Sequence, residues 1–597
     1  MSIQRYSVNQ HPIAILLAWI KAGEIAIPDI QRPFVWSAAK VRDFIDSLYN
    51  GYPVGYLISW QNPNIRLKDG SESAGKKILI DGQQRVTALL AALLGQQVIN
   101  KDYKRTRISI AFHPGEKKFE VTNPAIQKDP EWIADIATVF DPQTKTFVLV
   151  REYCKTNPNT DENDIFECIN HLQGISNNTI GLIDLNSDLD VETVAEIFVR
   201  INSTGVSLNA ADFAMSKMAA SEKYDGHRLR KCIDYFCHLA IAPEAYNDLA
   251  KDTEFVNTEY FRAMQWLKNE KEDLYDPSYT DMLRVAFTQE FKRGRLEDLV
   301  ALLSGRNFET RTFEETIAES SFARLKKALL LYMNETNFKR FIMILRSAGF
   351  VNTSMIRSQN TVNFAYLLYL TLRAQKADSG QIESLVRRWF VMSILTSRYT
   401  SSPETAFGVD VRNINGQGAS SYLDALERAE LSDAFWNEGL PQQMNTSVAS
   451  SPYFNVFLAS QVNGNDKGFL SNQHSVANLL QGASHIHHVF PRNYLKKKKL
   501  PRNRYNQIAN YVVMQSEINI AIGDSSPAEY FQALCNQCET GKTCYGNIVD
   551  IDQLNSNLTE HCIPKGIYGA GIEDYDRFLR ERRSLMSAKI RDYYKML

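Results

Sequence analysis

The chain predicts an α+β protein of several domains, on three observations. Its 597 residues are too many for one hydrophobic core, so roughly two to four domains are expected. The N-terminal quarter alternates short extended runs, Gly/Pro turns and apolar helical patterns, whereas residues 216 to about 436 repeat hydrophobics at helical spacing alone. Around residue 487, two short extended segments and then a helical one suggest a hairpin followed by a helix. Hydrophobic residues at 44% and charged residues at 23% fit a globular protein and exclude wholesale disorder. A net charge of −1 excludes a globally basic nucleic-acid coat, so any nucleic-acid surface must be local. The longest early apolar run, Ile13 to Ile20, is too short to span a bilayer and lacks a signal-peptide cleavage pattern; a cytoplasmic protein with no membrane partner is expected.

In chain order, Ile27 to Trp36 is a Pro-bounded extended segment containing the polar pair Gln31-Arg32. A helix follows with Val41, Phe44, Ile45 and Leu48 on one face, and the Gly51-Tyr52-Pro53 turn ends it. Val54 to Trp60 reads as a strand. Lys77 to Ile80 reads as a second, running into Asp81-Gly82-Gln83-Gln84-Arg85-Val86-Thr87 and the apolar helix Ala88 to Leu94. A strand, a Gly turn and a helix N-terminus make an anion seat, because unpaired backbone N–H groups face outwards there. Arg85 adds a fork suited to phosphate, and Asp81 suits a magnesium ion or an oriented water. A helix cap with a surface arginine explains the same residues equally well. Further on, Arg200 and Asn202 precede the Gly205 turn, with Asp212 in the next helix. They read either as another arm of a phosphate pocket or as a structural Asn-x-x-Gly turn.

The middle of the chain, including Phe322 to Met333 and Thr361 to Ala374, is helical in pattern, and its aromatic stripes read as core. The polar stretch Asn437 to Pro452 is the best linker. Domains are therefore expected at 1–215, 216–440 and 441–597. The last contains His487-His488-Val489-Phe490-Pro491, then Asn510 and Asn519. Adjacent histidines can divide labour, one ligating a divalent metal while the other takes a proton from water; an Asn oxygen suits a hard cation. From Lys467 through Ser516 there is no Asp or Glu but eight basic residues: Lys467, Arg492, Lys496, Lys497, Lys498, Lys499, Arg502 and Arg504. That window reads as a phosphate-binding surface. Cys535, Cys538 and Cys544, with the later His561-Cys562, lack the second tight pair of a zinc knuckle, so no zinc site is expected and Cys562 reads as core. The C-terminal helix from Tyr575 to Leu597 is rich in arginine and either extends the basic surface or packs one face.

These motifs resemble a known family. His-His-x-Phe-Pro … Asn … Asn resembles the ββα-metal (HNH) nucleases. The resemblance makes His488 the general base, His487 and Asn519 metal ligands, and Asn510 the brace of the loop. Ile-Pro-x-x-Gln-Arg-x-x-Val-Trp, Tyr-Pro-Val-Gly, Ile-Asp-Gly-Gln-Gln-Arg-Val-Thr and Phe-x-Arg-Ile-Asn-Ser-Thr-Gly resemble the N-terminal domain of GmrSD-type restriction endonucleases, over roughly residues 8 to 215. That domain is similar to the ParB/sulfiredoxin fold, whose Gly-x-x-Arg box binds nucleotide phosphates. The same family carries a C-terminal HNH domain. Arg387-Arg388-Trp389-Phe390 and Ser397 to Glu404 resemble its middle region.

The resemblance implies a modification-dependent (type IV-like) restriction endonuclease acting on modified phage DNA, with a homo-oligomer open. A nucleoside triphosphate would be bound and hydrolysed by Asp81, Gly82, Gln83, Gln84 and Arg85, with Gln31, Arg32, Arg200 and Asn202 nearby, and would gate the nuclease. His487 stands where such nucleases often carry Asp. Imidazole is the softer ligand, which shifts the metal preference from magnesium toward manganese, nickel or zinc. His485, one strand position back on the same face, is an alternative ligand. Two rival readings are a nucleotide-operated DNA-binding switch with an inactive HNH fold, and an unselective DNase or RNase of the abortive-infection kind.

Overall fold

The computed structural model describes residues 4–26, 34–61, 77–100, 105–189, 193–194, 197, 210–219, 221–272, 274–482 and 486–597. The expected site residues Gln31, Arg32, Arg200 and Asn202, and the alternative ligand His485, lie outside the described residues. The chain divides into two units, Met1–Thr258 and Glu259–Leu597. No helix among the described residues is long and apolar enough to cross a membrane.

The first unit is built on a five-stranded mixed sheet. Strand β1 (Tyr6–Pro12) leads into helix α1 (Ile13–Lys21), which buries Ile13, Leu16 and Leu17 at helical spacing. Strand β2 (Ile25–Ala26) precedes helix α2 (Ala38–Tyr49). The Ser37 hydroxyl accepts from the Lys40 N–H at the start of α2, whose inner face is Val41, Phe44, Ile45, Leu48 and Tyr49. Strands β3 (Tyr56–Gln61) and β4 (Lys77–Asp81) are antiparallel, and helix α3 (Gln83–Leu94) follows Gly82. Strand β5 (Thr179–Leu185) completes the order β1-β5-β3-β4-β2, running parallel to β3 and antiparallel to β1. One sheet face carries Leu57, Leu79 and Leu182 into a core shared with the inner faces of α1, α2 and α3. The other face groups Ile58, Trp60, Ile80 and Leu185. Among the polar residues, Asp184 accepts from the Ser59 hydroxyl, from the Lys77 ammonium at 2.9 Å and from the Asn9 amide at 3.2 Å. Burial pushes its carboxyl pKa up, but these donors outweigh that and hold it below the ordinary value.

The second unit is mainly helical. Helices Tyr279–Phe291, Glu315–Met333, Gln359–Ala374 and Ser379–Leu395 stack around buried aromatics. Tyr275 bonds to Tyr332 and Asn363, and Trp389 donates to the Tyr399 hydroxyl at 2.9 Å. Arg398 forks onto the fully buried Asp410, which also accepts from Tyr399 and Tyr422. The Arg-Trp-Phe and Ser-Arg-Tyr motifs are thus tied to packing of this unit.

The expected linker, Asn437 to Pro452, is helical in its first part and irregular over 445–451. Residues 435–443 form a π-helical turn and a short α-helix, with Trp436, Leu440 and Met444 buried. Their spacing of four puts them on one helical face, which outweighs the local Gly, Pro and Asn content.

Candidate active site

Residues Ile486–His488 form strand β6, paired antiparallel with β7 (Tyr511–Val513), so that His487 faces Val512 and His488 faces Tyr511. The strand ends at His488, and Pro491 lies two bend residues beyond it, at the N-cap of the next helix. Two short basic helices fill the connection, α4 (Arg492–Lys497) and α5 (Arg502–Tyr505). Helix α6 (Ser516–Ile522) starts three residues after β7 and carries the half-buried Asn519 at the end of its first turn. Two strands and then a helix is the order the sequence suggests. Strand alternation sends His487 and His488 to opposite faces of the hairpin.

Asn510 is fully buried and ties the loop to itself. Its side-chain oxygen accepts from the Phe490 N–H at 2.8 Å, and its amide donates to the carbonyls of Phe490 at 3.1 Å and Tyr505 at 3.4 Å. Its backbone carbonyl accepts from the Val489 N–H at 2.8 Å. The two residues after His488 are therefore held from one side chain and its own backbone. On the other side, the Tyr530 hydroxyl donates to the Val489 carbonyl at 2.9 Å.

His488 is half-buried, with its ring edge-on to Tyr511 at 5.0 Å between centroids. Nε2 lies 3.1 Å from Oδ1 of Asn506. Burial lowers its pKa from 6.5 to about 4; the Asn506 contact opposes this, and the charges of Arg492 and His487 add to it. At neutral pH the imidazole is uncharged and has a lone pair, which is what a general base needs.

Of the eight basic residues in the window, Arg492, Lys496 to Lys499, Arg502 and Arg504 are exposed on or beside α4 and α5, whereas Lys467 is half-buried, with its backbone bonded to Glu560 and His561. Lys497 pairs with Asp524, and Arg504 with Asp576 at 2.6 Å. The other five exposed ones pair with no acid among the described residues. Arg492 and Lys496 both lie 5.8 Å from the centre of the Tyr505 ring. The positive charge is thus largely uncompensated and sits on the segment leading directly out of His488.

The C-terminal helix packs one face inwards while Arg577 and Arg580 stay exposed. On helix α7 (Tyr575–Lys595), Arg582 is fully buried, and Lys589 pairs with the buried Asp466 at 2.5 Å and donates to the Glu560 carbonyl at 2.8 Å. Arg582 donates to the carbonyl of Ala509 at 2.9 Å and twice to that of His561. His561 is likewise internal, bonding through Nε2 to the Lys467 carbonyl at 2.8 Å and through Nδ1 to the Gln461 amide at 3.3 Å. It is engaged there rather than beside Cys535, Cys538 or Cys544. Burial raises the Cys535 and Cys538 thiols above their ordinary pKa.

Among the described residues, no three His, Cys, Asp or Glu side chains converge to hold a metal. The ligands expected from the sequence are the His487 imidazole on β6 and the Asn519 amide oxygen on α6, both half-buried. A divalent ion held by so few protein donors would keep several waters of its own.

The N-terminal seat has its own geometry. Gly82 caps α3 with φ 95°, and a Cβ there would lie 2.3 Å from Leu57 Cδ2. The N-cap glycine offers no side chain to cap the helix, whose start carries the positive end of the helix dipole. Arg85 donates to the Tyr56 carbonyl at 2.7 Å and lies 3.6 Å from Asp81. Gly55, with φ 90°, lets the guanidinium pack against backbone. Gln84 accepts the Val35 N–H at 2.9 Å, and Gln83 is half-buried beside it. Asp81, Gly82, Gln83, Gln84 and Arg85 are thus gathered at one helix start.

Sequence reasoning passed over Asn506 and Tyr530, and read Arg582 only as one of the basic residues of the C-terminal helix. Asn506 had a signal, a polar residue one turn before Asn510 in the same loop. Tyr530 had none.

Residues 14–219 match the family model described as the GmrSD restriction endonuclease, N-terminal domain. An uncharacterized protein of Methanocaldococcus jannaschii is 21% identical over 559 residues, covering 86% of this chain and 84% of that protein.

Proposed function

We propose that the protein is a modification-dependent restriction endonuclease acting against phage DNA, in which nucleotide bound near residues 81–85 gates cleavage at the 486–519 hairpin. The N-terminal match to a restriction endonuclease family supports the biological setting. The observation that carries the chemistry is His488, held uncharged on a strand whose outgoing loop is clamped by Asn510 and lined with unpaired cations. His488 takes a proton from the attacking water, and the surface of Arg492, Lys496, Lys498, Lys499 and Arg502 holds the phosphodiester backbone. A divalent ion held by His487 and Asn519 would supply positive charge to the phosphate. Arg85 and the N-terminus of α3 suit nucleotide phosphates, with Asp81 nearby to orient a water or a metal. Gln31, Arg32, Arg200 and Asn202 are proposed as further phosphate contacts, and 1–215, 216–440 and 441–597 as the functional segments.

The test is a cleavage time course on modified phage DNA and unmodified plasmid, with magnesium or manganese, with and without nucleoside triphosphate, beside His488→Ala. Cleavage of modified DNA alone, dependent on nucleotide and abolished by the substitution, is expected. Equal loss of both DNAs makes the protein an unselective nuclease. No cleavage under any condition leaves a nucleotide-operated DNA-binding switch.

A further inference from the structure

Asn506 sits at the C-terminal end of α5, its N–H bonded to the Arg502 carbonyl at 3.1 Å. The preceding carbonyl, of Tyr505, accepts from the Asn510 amide and from the Tyr575 hydroxyl, both at 3.4 Å. The backbone leading into Asn506 is therefore fixed to the same brace that holds the loop after His488. From that position its side-chain oxygen reaches Nε2 of His488 at 3.1 Å, while Tyr511 stands edge-on to the ring. An amide oxygen only accepts, so Nε2 must carry the hydrogen. The neutral imidazole then has one lone pair, on Nδ1.

We propose that Asn506 is a positioning residue that fixes His488 in the Nε2–H tautomer, leaving Nδ1 as the ring's single proton acceptor. The inference rests on the reading of His488 as general base. It assigns to an amide the part that a carboxylate plays beside the histidine of serine hydrolases, where loss of the correct tautomer costs about 10⁴ in rate.

The experiment compares Asn506→Leu, Asn506→Ala and Asn506→Asp with wild type at pH 8, on the full chain, reading kcat and KM separately and checking each fold by thermal melting. Leu keeps the volume without the acceptor, Ala removes the side chain, and Asp offers acceptors only. Asn506→Leu and Asn506→Ala are expected to lose about 100-fold or more in kcat with KM within twofold, whereas Asn506→Asp stays within about tenfold of wild type. A folded Asn506→Leu with wild-type kcat overturns the inference. So does an Asn506→Asp as inactive as Leu, because the amide would then be donating to His488. Activity surviving in His488→Ala instead defeats the general-base reading itself. A second readout needs no activity: acylation of His488 by diethyl pyrocarbonate, mapped by peptide mass spectrometry. Freeing Nε2 in Asn506→Leu is expected to raise that rate several-fold, and an unchanged rate overturns the inference.

Discussion

Acidification provides a test of how the second unit is held together. His561 is fully buried, accepts from Gln461 and donates to the Lys467 carbonyl, a set of bonds that only the neutral ring can make. Burial lowers its pKa from 6.5 to about 3, a shift that the charges of Arg582 and Lys589 reinforce and the bond to Lys467 opposes. The sign follows from which state binds the proton. Between pH 6.5 and 3 the unfolded chain protonates His561 and the folded chain does not, so stability is intact above 6.5 and falls as pH drops through that window. One pKa unit is worth about 1.36 kcal/mol, so going from pH 7.5 to 4.5 removes about 2.7 kcal/mol through this residue. For a unit the size of Glu259–Leu597, that lowers the midpoint of thermal unfolding by about 4 °C. Burial pushes the nearby Asp466 and Glu560 carboxyls up, and these act in the opposite direction, so wild type must be compared with a variant. His561→Gln is expected to be less stable at pH 7.5 by about 1–3 kcal/mol, because its bonds are imperfectly replaced. It should lose about 2.7 kcal/mol less on acidification. Parallel pH profiles of urea midpoints for the two proteins would refute the buried neutral histidine.

Three further outcomes can be measured. Gly82→Ala forces a Cβ into Leu57 at a positive φ, and should destabilise the first unit by about 3 kcal/mol, read as a fall of about 5 °C in its unfolding midpoint. Asn510→Ala leaves the buried Phe490 N–H and carbonyl without this partner, while the Tyr505 carbonyl keeps Tyr575; a loss of about 2–3 kcal/mol is expected by denaturant titration, with cleavage abolished even where the protein remains folded. Replacing Lys496, Lys498 and Arg502 together by alanine should weaken DNA binding independently of sequence and flatten the log–log salt dependence by about 2 to 3, read by fluorescence anisotropy; an unchanged slope would place the DNA elsewhere.

What the sequence reveals depends on whether one residue's environment is set by its neighbours or by distant chain. The inner face of α2 was readable because Val41, Phe44, Ile45 and Leu48 repeat locally. The hairpin was readable because the Phe-Pro after the histidines closes an extended segment, whereas Asn510 was marked as the brace by the family resemblance. Arg582 was hidden. Its neighbours Arg577, Arg580 and Arg583 suggest a solvated basic face, yet it shares a stripe with Phe578 and Met586, four residues away on either side. Its acceptors come from Ala509 and His561, and no local pattern reveals them. The spacing of Trp436, Leu440 and Met444 was visible in the sequence but was outweighed by Gly439 and Pro441. The seat at Gly82 was legible as a turn, but the contact that requires a glycine, with Leu57 of the adjacent strand, arises only from the sheet.

The same dependence on distant chain governs the candidate site. Strands of three residues are too short to hold a hairpin rigid alone. Helix α7 supplies the missing constraint over two turns. Tyr575 donates to the Arg504 carbonyl at 2.9 Å, Phe578 packs on Phe490 with ring centres 4.9 Å apart, and Arg582 donates to the Ala509 carbonyl. Each contact lands on a different part of the segment between β6 and β7: the end of α5, the residue before Pro491 and the residue before Asn510. A guanidinium buried without an acidic partner is costly, and its donation to main-chain carbonyls offsets that cost only while those carbonyls stay in place. The loop and the helix are therefore one cooperative element. His488 keeps its relation to Asn506 and Asn510 because residues some 90 positions later hold the loop still, and the geometry of the candidate site and the packing of the last helix should be lost together.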